Sequence, residues 1–212
     1  RLRSRSLADR ASVSAGVDAP FGAAMGEIAA ALALSQLGRI DVLLERRRIG
    51  WGASGRNGGF VGPGYAQRSG ALIDRLGLDH ARRLYAQSQR GVAIVRDAIS
   101  ELGRSDILMG SGKLSVSRTD QGAGFADRTR SLAEQLGASF EPWETSRVRA
   151  VLATARYHQA IHDPTSFHIH PLNLALALAA DIERQGSVVH ETTEAVELKR
   201  DGDGWRLRTA QG

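Results

Sequence analysis

The sequence predicts an α/β fold organised around a βαβ core, and three observations carry that prediction. An alanine-rich stretch with helical spacing runs from about Ala23 to Leu37 and stops at Gly38. A short apolar run, Ile40 to Leu44, follows and ends in the carboxylate of Glu45. Five glycines then fall within the ten positions from Gly50 to Gly59. Helix, glycine stop, strand and terminal acid, in that order, form the second half of a βαβ unit.

The elements follow in order. Residues 1–16 are rich in Arg and Ser and poor in acids, a composition of tails and transit segments, and are set apart from the fold as a disordered or atypical N-terminal tail. Ile28, Ala29, Leu32, Ala33 and Leu37 give the first helix its apolar stripe. Ala71 to Leu76 and His80 to Leu102 read as helices, the second with Leu84, Val92, Ile94-Val95, Ala98-Ile99 and Leu102 as its apolar face and Gly103 as its stop. Ile107 to Ser117 reads as a hairpin turning near Gly110 and Gly112. A polar amphipathic helix spans Gln121 to Leu136, Pro142 interrupts the chain, and Ser146 to Ala155 form a short helix. Pro171 to Gln185 is a helix with proline in its first turn and Gly186 after its end. Strands at Ser187 to His190 and Ala195 to Leu198 lead into the turn Asp201-Gly202-Asp203-Gly204 and a return strand, Trp205 to Thr209.

Composition excludes several chemistries. The chain has no cysteine, which rules out disulfides, thiolate metal ligands, a cysteine nucleophile and a cysteinyl-linked cofactor, and fits a reducing, cytoplasmic setting. No apolar run reaches the roughly 18 to 20 residues that span a bilayer, so no membrane partner is expected. The net charge of +5 comes almost wholly from scattered arginines with few aromatics between them, which favours solvated charged faces over a nucleic-acid surface.

The chemistry concentrates in the block from Ile40 to Gly59. A glutamate at a strand end accepts hydrogen bonds from ribose hydroxyls, and a glycine-rich loop lets backbone amides approach a phosphate or a flat ring. Together they point to a dinucleotide, and the loop to a flavin dinucleotide. Counting back from Glu45, the phosphate-binding glycines of a Rossmann unit fall near 22, 24 and 27, where the sequence has Gly22, Ala24 and Glu27. Ala24 adds a methyl group where backbone approaches pyrophosphate, and Glu27 places an anion near a helix start that would otherwise attract phosphate. Arg46 to Arg48 read as a solvated charge run, and Trp51 and Tyr65 as packing residues. His162, His168 and His170 alternate in part, and on a strand His168 and His170 would share a face. No Cys or carboxylate beyond Asp163 completes a metal ligand set, so no metal is expected. A Ser54–His168–Asp163 triad is disfavoured because Ser54 lacks a strand-to-helix nucleophile elbow.

The segment Leu43-Leu44-Glu45-Arg46-Arg47-Arg48-Ile49-Gly50-Trp51-Gly52-Ala53-Ser54-Gly55-Arg56-Asn57-Gly58-Gly59 closely resembles the FAD-dependent oxidoreductases of the D-amino-acid oxidase-like superfamily, in its gamma-glutamylputrescine oxidase branch. Asp163-Pro164, His168-Ile169-His170-Pro171-Leu172, the Ala/Leu helix and the strand-turn-strand follow the same pattern. The resemblance implies a Rossmann-like FAD-binding core with part of a mixed-sheet substrate domain, incomplete, because the family's chains are about twice as long. It implies that residues 17–70 form the FAD-binding βαβ and glycine loop. Residues 71–165 would form a helical, partial substrate-domain segment, and 166–212 the return to the FAD-binding domain. Glu45 would hold the adenosine ribose with Arg46 beside it, and Gly22 would belong to the phosphate turn. Ser54, Gly55, Arg56, Asn57, Gly58 and Gly59 would line the pyrophosphate and flavin ring, and Val196 would offer a backbone contact to adenine.

FAD would be non-covalent, the substrate a small amine or amino acid, and the reaction oxidation of a C–N bond by hydride transfer to the flavin. His170 is the candidate near the substrate face, with structural hydrogen bonding the favoured reading of that residue. Two alternatives stay open on the residues alone: a truncated, degenerate flavoprotein fragment without catalytic activity, and a Rossmann-like interaction module using its arginine surface.

Overall fold

The computed structural model of the chain describes residues 11–15 and 40–211. The expected helix from Ala23 to Leu37 and the positions Gly22, Ala24 and Glu27 lie outside the described residues. The chain divides into two compact units, one of residues 1–58 with 170–212 and one of residues 59–169.

The first unit is built on a three-stranded parallel sheet in the order β1-β2-β7, with β1 (Ala11–Ala15), β2 (Ile40–Leu44) and β7 (Val188–His190). Within the tail expected over 1–16, residues 11–15 are instead a strand, and residues 1–10 and 16 lie outside the described residues. Ala11 to Ala15 pair in parallel register with Ile40 to Leu44, and this backbone ladder, more than any apolar patterning of ASVSA, makes the segment a strand. β2 buries Leu43 and Leu44. The helix Pro171–Arg184 belongs to this unit and buries Leu174, Ala175, Leu178 and Ile182 along one stripe. His170 caps it, its Nδ1 accepting from the Asn173 amide at 3.2 Å, and Pro171 opens its first turn. A two-stranded antiparallel hairpin, β8 (Ala195–Asp201) and β9 (Gly204–Thr209), completes the described part.

The second unit is an antiparallel sheet with helices. Its strands are β3 (Phe60–Val61), β4 (Leu108–Val116), β5 (Glu141–Trp143) and β6 (Ala160–Ile169). β6 is central, pairing with β3, β4 and β5. In chain order the helices of the whole molecule are α1 (Ser69–Leu76), α2 (Leu78–Leu102), α3 (Phe125–Leu136), α4 (Thr145–Leu152) and α5 (Pro171–Arg184), the first four lying in this unit. α2 buries Ala81, Tyr85, Val92 and Ile99, a stripe of helical period. Tyr85 meets Phe140 edge-on at 5.9 Å in a core with Ala81 and Leu136. Burial, and secondarily the nearby Asp163 charge, pushes the Tyr85 hydroxyl up to about 12.

Three expectations change in this unit. Within residues 107–117 the chain forms one strand, Leu108–Val116, and not a hairpin. Gly110 and Gly112 mark irregularities in its ladder with β6, and a Cβ at Gly112 would stand 2.8 Å from the His162 Nε2, so that glycine serves close packing rather than a turn. His168 and His170 do not share a strand face, because β6 ends at Ile169 and His170 caps α5. Residues 59–70, grouped by sequence with the first segment, cluster with the second unit because Phe60 and Val61 pair with His168 and Phe167.

β6 carries a bulge that Asp163 secures. β4 advances from Ser111 to Lys113 while β6 runs back from Phe167 to Asp163. The Asp163 side chain, 3 % exposed as a residue, spans the extra length. Its Oδ1 accepts from the Thr165 amide at 2.9 Å and the Thr165 hydroxyl at 2.6 Å, and its Oδ2 accepts from the Ser166 hydroxyl at 2.6 Å. Burial opposes ionisation most strongly. The Ser166 and Thr165 hydrogen bonds and the Lys113 charge outweigh it together and hold the carboxyl below its ordinary range.

Candidate cofactor site

The site begins where β2 ends. Glu45 extends the sheet by its backbone: its amide donates to the His190 carbonyl at 2.9 Å, and its carbonyl accepts from the Thr193 amide at 2.9 Å. Its carboxylate is aimed by the chain that follows, since Oε1 accepts the Arg47 amide at 2.7 Å. Among the described residues no hydrogen bond engages the second oxygen. A carboxylate fixed at one oxygen and open at the other, at the C-terminal end of a parallel strand, is the geometry that accepts a ribose hydroxyl.

The loop beyond Glu45 is held from outside and folded within. Glu191 Oε1 accepts the Ile49 amide at 2.7 Å, and the Thr192 amide donates to the Arg47 carbonyl at 2.7 Å. The Trp51 amide closes a turn onto the Arg48 carbonyl at 2.9 Å. A short 3₁₀ turn, Ala53–Gly55, comes next, and Asn57 Nδ2 donates to the carbonyls of Ala53 and Ser54, each at 3.0 Å. Ser54 is buried, whereas Arg56, Asn57 and Gly58 are exposed.

Two glycines have no substitute here. A Cβ at Gly55 would stand 2.2 Å from the Gly50 carbonyl oxygen, and Gly50 itself has φ +73° with the Leu172 side chain of α5 at 2.7 Å from its missing Cβ. The loop is therefore pressed on itself and on α5, while Gly52 faces open space.

Arg46 pairs with Glu194 at 3.3 Å, and Arg47 and Arg56 have no carboxylate partner among the described residues. Arg47 lies over the Trp51 ring with its Cζ at 5.1 Å from the centroid, and Arg56 does so at 4.3 Å. Val196 sits at a register shift between Ala195 and Glu197 and has no ladder partner on β9.

The chain matches the family described as FAD dependent oxidoreductase (DAO) over residues 28–212. It belongs to that family. FAD is the cofactor of this DAO family, and the residue types present fit a dinucleotide: a strand-end carboxylate fixed at one oxygen, a glycine turn and arginines beside it. Among curated relatives of this DAO chain, gamma-glutamylputrescine oxidoreductase of Escherichia coli is 32 % identical over 186 residues, covering 87 % of this chain and 43 % of that protein. The probable oxidoreductase OrdL of Haemophilus influenzae is 26 % identical over 195 residues, covering 90 % and 44 %. The chain thus spans less than half the length of the curated relatives it matches. In fold it resembles glycine oxidase from Geobacillus kaustophilus, with a TM-score of 0.68 at 18 % identity, covering 96 % of this chain and 52 % of that one. L-amino acid deaminase from Proteus vulgaris gives a TM-score of 0.69 at 15 % identity over 96 % and 50 %.

The structure brings Glu45, Arg46, Ser54, Gly55, Arg56, Asn57 and Gly58 into one continuous turn of the first unit, and Gly59 opens the second. Gly22 lies outside the described residues. His170 is occupied as a helix cap. His168 stacks on Phe60 at 5.4 Å, and His162 Nδ1 bonds the Glu141 carboxylate at 2.9 Å. Each of the three histidines thus has its own separate partner. Sequence reasoning missed the contacts of Arg47 and Arg56 with the Trp51 ring and the hold of Glu191 on the Ile49 amide, which carry no periodic signal. Among the described residues no helix is long and apolar enough to cross a membrane.

Proposed function

We propose that this chain supplies the FAD-binding portion, and part of the substrate domain, of an oxidoreductase that oxidises a C–N bond of a small amine or amino acid. The observation that carries the reading is the Glu45 carboxylate, anchored at one oxygen by the Arg47 amide and open at the other, with the glycine turn directly behind it. In this reading Glu45 binds the adenosine ribose, and the turn from Ser54 to Gly59 takes the pyrophosphate and the edge of the flavin. The unpaired backbone of Val196 contacts adenine. FAD held by these residues would supply the redox chemistry, the removal of a hydride from the carbon next to nitrogen.

In this reading the chain's own residues orient the cofactor. Residues 59–169 form the substrate-domain part. The names of the relatives support the substrate class, since they include a gamma-glutamylputrescine oxidoreductase, a glycine oxidase and an L-amino acid deaminase. The absence of cysteine supports a cytoplasmic setting.

Replacing Glu45 by Ala tests the assignment. Hydrogen bonds to a charged group contribute about 1.5 to 3 kcal/mol, so Glu45→Ala weakens FAD binding by about 10- to 100-fold. Titration followed by flavin fluorescence measures it, and an unchanged affinity would contradict the ribose assignment.

A further inference from the structure

The two ends of α2 use its inner face differently. Near its start, Ala81 and Tyr85 pack on Leu136 and Phe140. Over its last two turns the face borders a cavity. Arg96, Ile99, Ser100 and the capping Gly103 recur at i, i+3, i+4 and i+7, so one helix face supplies a whole wall. The other wall comes from the sheet, with Leu108 at the start of β4 and Phe167 on β6. The cavity measures about 540 Å³, a size that takes a small organic molecule. Ile99 and Phe167 are buried, whereas Leu108 is 46 % exposed and opens the cavity to solvent.

The two arginines at this cavity are committed to different extents. Arg104 gives its fork to Asp106, from Nε at 2.9 Å and from Nη2 at 2.5 Å. Arg96 donates from Nη2 to the Thr165 carbonyl at 2.9 Å, and its Cζ lies 4.3 Å from the centroid of the Phe167 ring. These contacts hold the guanidinium in place without neutralising it, because Arg96 has no carboxylate partner among the described residues. A guanidinium has five N–H donors, so donors remain for a ligand. The Gly103 end has the opposite character, since the last carbonyls of a helix carry partial negative charge. A carboxylate entering the cavity is therefore drawn to Arg96 and turned away from Gly103, with the apolar body of its molecule left on Ile99, Leu108 and Phe167.

We propose that this cavity binds a small carboxylic acid with an apolar body, its carboxylate paired with Arg96. The site lies wholly within the second unit and is independent of the FAD-binding reading.

The probes are phenylbutyrate, its neutral amide phenylbutyramide and the amine phenylbutylamine, each titrated into the full chain and followed by protein NMR chemical shifts. Phenylbutyrate binds saturably, and phenylbutyramide, which brings no charge to Arg96, binds at least about tenfold more weakly. Arg96→Gln lowers phenylbutyrate affinity about tenfold and changes phenylbutyramide affinity by less than about twofold. Leu108→Glu, made at an exposed position away from the Phe167 contact, reverses the preference, so that phenylbutylamine binds more tightly than phenylbutyrate. Acid and amide that bind equally well would overturn the proposal. An Arg96→Gln loss of the same size for both would do so too, because it reports a change of cavity shape and not a lost charge pair. No saturation by phenylbutyrate at about 10 mM also overturns it. A dimer that Leu108→Glu dissociates, in a chain that does not take up phenylbutyrate, overturns it in favour of a second copy on this face.

Discussion

Replacing Gly59 by Ala destabilises the protein by about 3 kcal/mol or more. Gly59 has φ +68°, a conformation that costs an L-residue roughly 1 kcal/mol before any contact is counted. A Cβ there would stand 2.0 Å from the Ile169 carbonyl oxygen and 3.1 Å from the His168 ring, and the oxygen is backbone that cannot swing aside. Relief requires β3 and β6 to separate, which breaks the bond from the Ile169 amide to the Gly59 carbonyl, 2.9 Å long. Gly52→Ala is the matched control. It lies in the same loop and meets nothing within 4 Å, so its effect stays within about 0.5 kcal/mol. Denaturant unfolding of the two variants measures the difference. Equal midpoints would show that Gly59 is not pinned against β6.

Asp163→Ala produces the second large effect, a loss of about 3 kcal/mol, because it strips the acceptors from the Thr165 amide and from the Thr165 and Ser166 hydroxyls inside the sheet. Asp163→Asn keeps an acceptor for some of these and loses less. The pH dependence has a definite sign. The folded-state carboxyl lies below its unfolded value of about 3.9, so its contribution is fully present above that value and is lost as pH falls through the lower folded value. Stability of the parent protein therefore drops more steeply below about pH 4 than that of Asp163→Asn, which has no proton to take up at this position. Urea midpoints collected from pH 7 to pH 3 check this, and parallel curves for the two proteins would contradict it.

These two sites also show where sequence is legible and where it is not. The helix Pro171–Arg184 could be read directly, because proline at its start, an Ala/Leu stripe and Gly186 beyond its end all agree. Strand β2 and its terminal Glu45 were legible for the same reason: an apolar run, a carboxylate and a glycine cluster stand in unbroken order. β6 was not. Its ten residues include Pro164 and the polar run Asp163, Thr165 and Ser166, which break the alternation that marks a strand. Only the fold reveals that Asp163 turns that polar run into a bulge. β1 hid behind small, neutral residues, since its evidence lies in a ladder with residues almost thirty positions away.

The cofactor loop was partly legible. Its glycines and Glu45 announce the chemistry by type and order. The grouping of Arg47 and Arg56 on Trp51 has no sequence period, because it arises in a turn rather than in a helix or strand. Glu191, which holds the Ile49 amide, comes from a segment 142 positions away and carries no local mark of that task.

The central claim is that Glu45 and the glycine turn behind it hold FAD. The most direct measurement is the absorbance of the chain after incubation with FAD and gel filtration. The expected result is absorbance bands at about 370 and 450 nm that travel with the protein and diminish in Glu45→Ala. A protein peak that stays colourless after that incubation would contradict it.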